Sequence, residues 1–399
     1  MFLSKSYYIF FGAIISIVSY LVPKRPDLWV FGCCRGTKYA ENSKYLFEYI
    51  NERHKDIRCV WISKDRNIIE MLRHRGYEAC GFLSLRGLWL AARAAVVIIT
   101  HRGNCWDGDV PFFCISANTL LVQVWHGIPL KKIAFDDRLF SYAFDESTWS
   151  FKLRNLVAAL LPFLLRVEKP SLVVATSEET QEIFSSAFRV PRRHVAVTGY
   201  PRNDRIFSKG RMVGSGRKVL YVPTFRGQEG AIFNPFENQD FEIDNLNNFL
   251  VENGMHLHIK LHPFNQISPE LKDSIDSASN LTVLLNDDIY EVLSEYDVLI
   301  TDYSSIYFDF LLTGKPIIFL PYDLIRYNQS DREFYYSYDD VTPGPKASNW
   351  REVSLLLSDL DLLSERYRDN YIQILDRFHK YKDGKSCQRL FSEIQSRVR

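Results

Sequence analysis

Along most of the chain, short unbroken apolar runs alternate with longer stretches whose apolar positions recur at helical spacing. The first series of runs is "LWVFG" (28–32), "IRCVWIS" (57–63), "AAVVIIT" (94–100), "LLVQVW" (120–125), "SLVVATS" (171–177) and "HVAVTGYP" (194–201). Runs this short, rich in β-branched residues and apolar at successive positions, read as strands covered on both faces. Helical patterns lie between them, such as "NSKYLFEYINER" (42–53), with Asn42 or Ser43 as the N-cap. The polar stretch "SKGRMVGSGRK" (208–218) interrupts the alternation and reads as a linker. A second series follows: "VLYVPTF" (219–225), "HLHIKLHP" (256–263), "LTVLL" (281–285), "DVLITD" (297–302) and "PIIFLPYD" (316–323). Two such series predict an α/β protein of two Rossmann-like domains, at 26–207 and 219–349, with a helical segment at 350–399. Ligands then belong in a cleft at the carboxyl ends of the strands.

The beginning of the chain breaks this pattern. "SYYIFFGAIISIVSYLV" (6–22) is uncharged, with Lys5 before it and Lys24 and Arg25 after it. At about 17 residues it sits at the lower limit for crossing a bilayer. "YLVPKRP" offers no small-residue cleavage site, so residues 1–25 are expected to embed in or lie on a membrane, with burial against the protein as the alternative. A second apolar stretch, "FKLRNLVAALLPFLLRVEK" (151–169), has basic flanks suited to an anionic membrane surface, with core packing as the alternative.

Composition narrows the chemistry. The 399 residues carry a net charge of +1, without the global basic field that draws nucleic acid. Seven cysteines, an odd number with no CxxC pair, fit reduced thiols and argue against zinc. No Walker A sequence occurs, and "GSGRK" (214–218) precedes a strand instead of following one. His256, His258 and His262 fall on one side of a strand, but His256 and His258 read as residues that pack or face solvent there. No metal and no cofactor is expected.

Where strands end, polar residues gather. His126 and Gly127 close one strand, and "GYPRND" (199–204) offers Arg202, Asn203 and Asp204 for the cleft. "VPTFRG" (222–227) offers Thr224 and Arg226, and "IKLHPF" (259–264) offers Lys260 and His262. "TDYSSIYFD" (301–309) brings Asp302, Ser304 and Ser305, and "PYDLIRY" (321–327) brings Asp323. Ser304 and Ser305 precede an apolar helix, whose first N–H groups attract an anion. Arg226, Lys260 and Arg202 would neutralise it, so the chemistry points to phosphate. Imidazole titrates at about 6.5, which suits His126 to proton transfer near neutral pH.

In this order the strings "VWHGIPLKKI", "GYPRND", "VPTFR", "IKLHP", "LITDYSSIYFDFLLTGKPIIFLPYD" and "PGP" (343–345) resemble the CDP-glycerol glycerophosphotransferase family of teichoic-acid and capsular-polymer synthesis. The resemblance implies a GT-B-like fold with the nucleotide donor in the C-terminal domain. It implies transfer of glycerol phosphate, or a related alditol phosphate from CDP-ribitol, to a hydroxyl of a lipid-linked or polysaccharide acceptor, releasing CMP. It assigns catalysis to the histidines of the WHG and LHP motifs, here His126 as general base and His262 as stabiliser of phosphate and leaving group. The donor phosphates and nucleotide are expected on Thr224, Arg226, Lys260, Asp302, Ser304, Ser305 and Asp323, and the acceptor near Gly127, Arg202, Asn203 and Asp204. The family's place at the cytoplasmic face of the membrane suits the N-terminal apolar run. The length is that of single-module members, which include primases. A nucleotide-sugar glycosyltransferase for cell-surface polysaccharide is the alternative.

Overall fold

The computed structural model describes residues 19–101, 108–116, 118–137, 170–208, 216–225, 231–234, 236, 242–262, 265–285, 288–324 and 333–398. The chain divides into two compact units. One comprises Met1–His126, Ile133–Asp204 and Asp383–Arg399; the other comprises Gly127–Lys132 and Arg205–Lys382.

The first unit is built on seven strands: β1 (Arg25–Phe31), β2 (Arg58–Ser63), β3 (Glu78–Gly81), β4 (Ala94–Ile99), β5 (Leu120–Gln123), β6 (Leu172–Ala175) and β7 (Val195–Val197). They lie in the order β3-β2-β1-β4-β5-β6-β7, and every pairing is parallel. The apolar runs become buried strands because helices cover both faces of such a sheet. All six residues of β4 are buried. Val30, Val60, Ile62, Val97, Ile99 and Leu121 interlock in one core, and burial of such side chains contributes roughly 1.5–3 kcal/mol each. The strand order reverses between β1 and β4, and in such sheets ligands belong at the carboxyl edge beside the reversal.

The predicted helix at 42–53 forms as Glu41–Arg53, but neither Asn42 nor Ser43 caps it. The N-cap is Ala40, without a side-chain cap bond, and Asn42 is buried inside the first turn. The last helix, Ser386–Arg397, belongs to this unit, with Phe391 against Trp29 at 5.5 Å and stacked on His54 at 3.6 Å. Gly199 of "GYPRND" adopts φ +82°, and a side chain there would strike the Ser386 hydroxyl. Only glycine satisfies both demands.

The second unit repeats the scheme with β8 (Arg217–Val222), β10 (Met255–Ile259), β12 (Leu281–Val283), β13 (Val298–Thr301) and β14 (Ile317–Phe319), all parallel in the order β12-β10-β8-β13-β14. A separate parallel pair joins β9 (Ala231–Ile232) to β11 (Asn265–Gln266). Here the order reverses between β8 and β13. Val219, Tyr221, Leu257, Ile259, Ile300, Ile318 and Trp350 share its core. Gly344 of the "PGP" string lies against β14 so closely that a Cβ would collide with the Ile317 carbonyl. Gly127–Lys132, the segment that follows His126, runs antiparallel to residues 333–335: Lys132 N–H donates to the Glu333 carbonyl at 2.7 Å, and Tyr335 N–H to that of Leu130 at 2.9 Å.

Among the described residues no helix is long and apolar enough to cross a membrane, so the expected N-terminal anchor finds no support there. Of the apolar run 6–22, residues 19–21 are helical and residues 6–18 lie outside the described residues, as does all of 151–169.

Candidate functional site

Of the candidate residues, Thr224, Asp302, Ser304 and Ser305 follow the strands at the reversal of the second sheet, and the other described ones follow other strands. In the first unit the turn after β5 carries His126. Val124 and Trp125, expected in the strand, have already left it, and the left-handed residue of this turn is Trp125, at φ +51°. A bulky residue in that conformation is strained and persists only where its surroundings hold it. Four hydrogen bonds and an ion pair do so. The Asn42 side-chain amide donates to the carbonyls of Val124 and Trp125, both at 3.0 Å. Its oxygen accepts from Arg202 N–H at 3.2 Å. The Arg202 guanidinium donates to the His126 carbonyl at 2.9 Å and pairs with Glu41, itself at φ +61°. Arg202 is therefore a buried brace for the histidine turn, 1% exposed, and its charge is matched by a carboxylate.

The neighbours in "GYPRND" divide their tasks. Asn203 is buried. Asp204, expected to line the cleft, accepts from the backbone N–H groups of Ser386 and Cys387, each at 2.8 Å. Its carboxylate is thereby spent on the start of the last helix, and burial pushes its pKa up. Gly127 is buried beside His126.

The His126 ring lies face to face with His101, centroids 4.2 Å apart and planes within 7°, and packs on Trp125 at 4.1 Å. His101 follows β4, and Cys33 and Cys34 follow β1, so this group sits at the reversal of the first sheet. Asp109 ties the loops together. One of its oxygens accepts from Thr100 N–H at 2.6 Å, the Thr100 hydroxyl at 2.8 Å and His101 N–H at 2.8 Å; the other accepts from Arg35 N–H at 2.6 Å. Cys34 and Arg35 are both left-handed, at φ +47° and +57°. The Cys33 thiol lies 3.3 Å from the Cys34 sulfur. Burial raises Cys33 well above an ordinary thiol, whereas the hydrogen bond from Cys33 lowers Cys34 against burial, with help from His101. At His101 burial disfavours charge, but the Cys34 hydrogen bond and the negative charges of Asp109, Cys34 and Glu41 outweigh it, and its pKa is raised.

None of Cys34, His101, Asp109 or Glu41 was among the expected site residues. The signal was available: "FGCCRG" (31–36) and "ITHRGN" (99–104) are polar strand ends like the others, and they flank the point where the strand order reverses.

In the second unit, Thr224 follows β8 and Asp302 follows β13, again the two strands at the reversal. Asp302 is fully buried. Its Oδ1 accepts from Thr224 N–H at 2.8 Å, the Thr224 hydroxyl at 2.5 Å and Tyr303 N–H at 2.5 Å. The Asp302 carbonyl accepts from the Tyr338 hydroxyl at 2.8 Å, and Tyr303 donates its hydroxyl to Asp323 at 3.0 Å. Asp302 thus shapes the loop over the strand ends, and Asp323 is linked to it through Tyr303. Ser304 and Ser305 are half-buried; Ser305 is the N-cap of Ile306–Phe310, without a side-chain cap bond. That helix is only five residues long, so any anion there would be held by local N–H groups more than by a macrodipole. Lys260 is half-buried at the end of β10, next to β8; His262 is exposed, its ring 5.3 Å from Phe225. Arg226 lies outside the described residues.

His256 and His258, on β10, are 4.6 Å apart, and His256 bonds the Thr282 hydroxyl at 2.8 Å. Among the described residues no group of three or more histidine, cysteine or acidic side chains is arranged to hold a metal.

Comparison with known proteins gives this geometry a context. The chain is 27% identical over 391 residues to the teichoic acid poly(glycerol phosphate) polymerase of Bacillus spizizenii, covering 94% of this chain and 93% of that one. It is 27% identical over 392 residues to the teichoic acid glycerol-phosphate transferase of Staphylococcus aureus, covering 94% and 95%. Among solved structures the wall teichoic acid polymerase TagF superposes with a TM-score of 0.74 at 22% identity, over 97% of this chain and 94% of that one, a likeness of fold. The sequence model of the CDP-glycerol:poly(glycerophosphate) glycerophosphotransferases matches residues 14–396, and this chain belongs to that family of enzymes.

Proposed function

We propose that the protein transfers glycerol phosphate from CDP-glycerol to a hydroxyl of a lipid-linked or polysaccharide acceptor at the cytoplasmic face of the membrane. Membership of the family supports the donor, since the family is described by CDP-glycerol. One observation carries the catalytic reading: the strained turn bearing His126, held by Asn42 and Arg202 at the edge of a parallel sheet. Such strain, kept in place by buried braces, belongs where a side chain must be aimed.

In this reading His126 takes the proton of the acceptor hydroxyl. The oxygen attacks the β-phosphorus, the bond to the bridging oxygen breaks, and CMP departs with the electron pair. Charge gathers on the phosphoryl oxygens and the leaving phosphate, and His262, Lys260 and Arg226 with the hydroxyls of Ser304 and Ser305 stabilise it. Thr224 and Asp302 shape the donor loop, and Asp323 holds a ribose hydroxyl.

The test is incubation with CDP-glycerol, CDP-ribitol and UDP-sugars in the presence of a lipid-linked acceptor analogue, with nucleotide release and product mass both read. CMP released from CDP-glycerol, with the acceptor gaining glycerol phosphate, is the expected result. UDP released from a UDP-sugar would replace this reading with a glycosyltransferase.

A further inference from the structure

The crevice of the first sheet holds a nucleophile that the proposed transfer does not use. Cys34 is half-buried, whereas Cys33, Cys59, Cys80, Cys114 and Cys387 are buried. Its sulfur faces two hydrogen-bonding groups, the Cys33 thiol at 3.3 Å and the His101 ring. The proton inventory around it is constrained. The Thr100 hydroxyl has one hydrogen and gives it to Asp109 at 2.8 Å, so at 3.0 Å from His101 Nδ1 that hydroxyl accepts and the ring donates. Thr100 also accepts from Cys34 N–H at 3.1 Å, which holds the thiol-bearing residue in its left-handed conformation. A sulfur with donors around it, beside a ring whose pKa is raised, against burial, by the Cys34 hydrogen bond and by the negative charges of Asp109 and Glu41, has the environment of reactive thiolates.

We infer that Cys34 is a modification site, a thiolate nucleophile open to hydroperoxides and joined through His101 to the ring of His126. The sulfur attacks the terminal oxygen of the peroxide. An S–O bond forms, the O–O bond breaks, and the departing alkoxide or hydroxide takes a proton from the His101 ring. Cys34 becomes a sulfenic acid and the peroxide leaves as alcohol or water. The added oxygen must fit against His101, which lies flat on His126 at 4.2 Å, so the modification displaces the ring stacked on the proposed base. The thiol chemistry stands apart from the proposed transfer; only the effect on turnover rests on it.

The experiment treats the full-length protein with hydrogen peroxide near pH 6.5. Peptide mapping follows each of the seven thiols in time, and turnover of CDP-glycerol is measured on the same samples. Cys34 is expected to lose its thiol before any other cysteine, and His101→Gln to slow that loss about tenfold. Turnover should fall in step with Cys34 oxidation, and the activity of Cys34→Ser should resist peroxide. Oxidation of another cysteine first, or an unchanged rate in His101→Gln, overturns the assignment. Oxidation of Cys34 with turnover untouched overturns its link to His126. Should the protein fail to turn over CDP-glycerol at all, the peptide map still decides the thiol assignment, and the failure belongs to the proposed function.

Discussion

The two sheets share one strand order around their reversal, yet their crevices are furnished differently. In the first unit the loops after β1 and β4 carry titratable groups: Cys34, His101 and Asp109, with His126 stacked on top. Four of the surrounding residues, Cys34, Arg35, Glu41 and Trp125, adopt left-handed backbone. In the second unit the matching loops carry Thr224 and Asp302, whose contacts are spent on backbone N–H groups and hydroxyls. In the proposed reading the first of these groups moves protons, while Thr224 and Asp302 hold the donor loop in a fixed shape. A common topology decides where a ligand can sit, while the side chains at the strand ends decide what happens to it.

The strongest way to test that contrast is to remove the imidazoles on which the proposed chemistry depends. His126→Ala should lower turnover by about 10²–10⁴ through loss of a positioned base. His262→Ala should cost roughly a hundredfold through loss of charge stabilisation. Steady-state rates, with far-ultraviolet circular dichroism to show an intact fold, provide the check. Near-normal turnover in His126→Ala would leave the first crevice without its assigned task.

Removing the braces comes next. Arg202→Ala leaves Glu41 without its buried partner and the His126 carbonyl without its donor, a loss of about 3–5 kcal/mol. Urea denaturation should show the midpoint falling accordingly. Asp302→Ala strands the N–H groups of Thr224 and Tyr303 in a buried site, at about 1–3 kcal/mol. The same variant should bind CDP-glycerol more weakly by isothermal titration, because the loop over β8 loses its shape. If Asp302→Ala binds the donor normally, the second crevice is a structural joint and nothing more.

Much of this was legible beforehand, and the omissions have physical reasons. The apolar runs marked eleven of the twelve strands in the two main sheets, since doubly covered strands leave no polar face to hide them; β3 (Glu78–Gly81) was lost because "EACG" is short and opens on a charged residue. Strand ends were read too long at Val124 and Trp125, because apolarity reports burial, and both residues stay apolar in a turn braced from outside by Asn42 and Arg202. That bracing is long-range: Asn42 and Arg202 meet across 160 positions of sequence. No local pattern could therefore show that Asn42 serves the histidine turn instead of capping its own helix. The same limit hid the pairing of Cys34 with His101, which only the adjacency of β1 and β4 creates.

The smallest expected effect concerns the histidines that should not matter for chemistry. His258 on β10 has its pKa lowered from 6.5 to about 4, first by burial and then by electrostatic repulsion from His256 and Lys218. The folded protein therefore keeps this ring neutral at a pH where the unfolded chain has already taken up a proton. The sign follows from linkage: the contribution is fully present above about 6.5 and drains away as pH falls towards about 4. Discounted for solvent screening, it amounts to about 1–2 kcal/mol. Urea midpoints measured near neutrality and near pH ~4.5 should fall further for the native protein than for His258→Gln by about that amount. Turnover at neutral pH should be unaffected in the variant. A His258→Gln enzyme that kept the full acid sensitivity but lost activity would reverse the division between the structural histidines of β10 and the chemical ones of the first crevice.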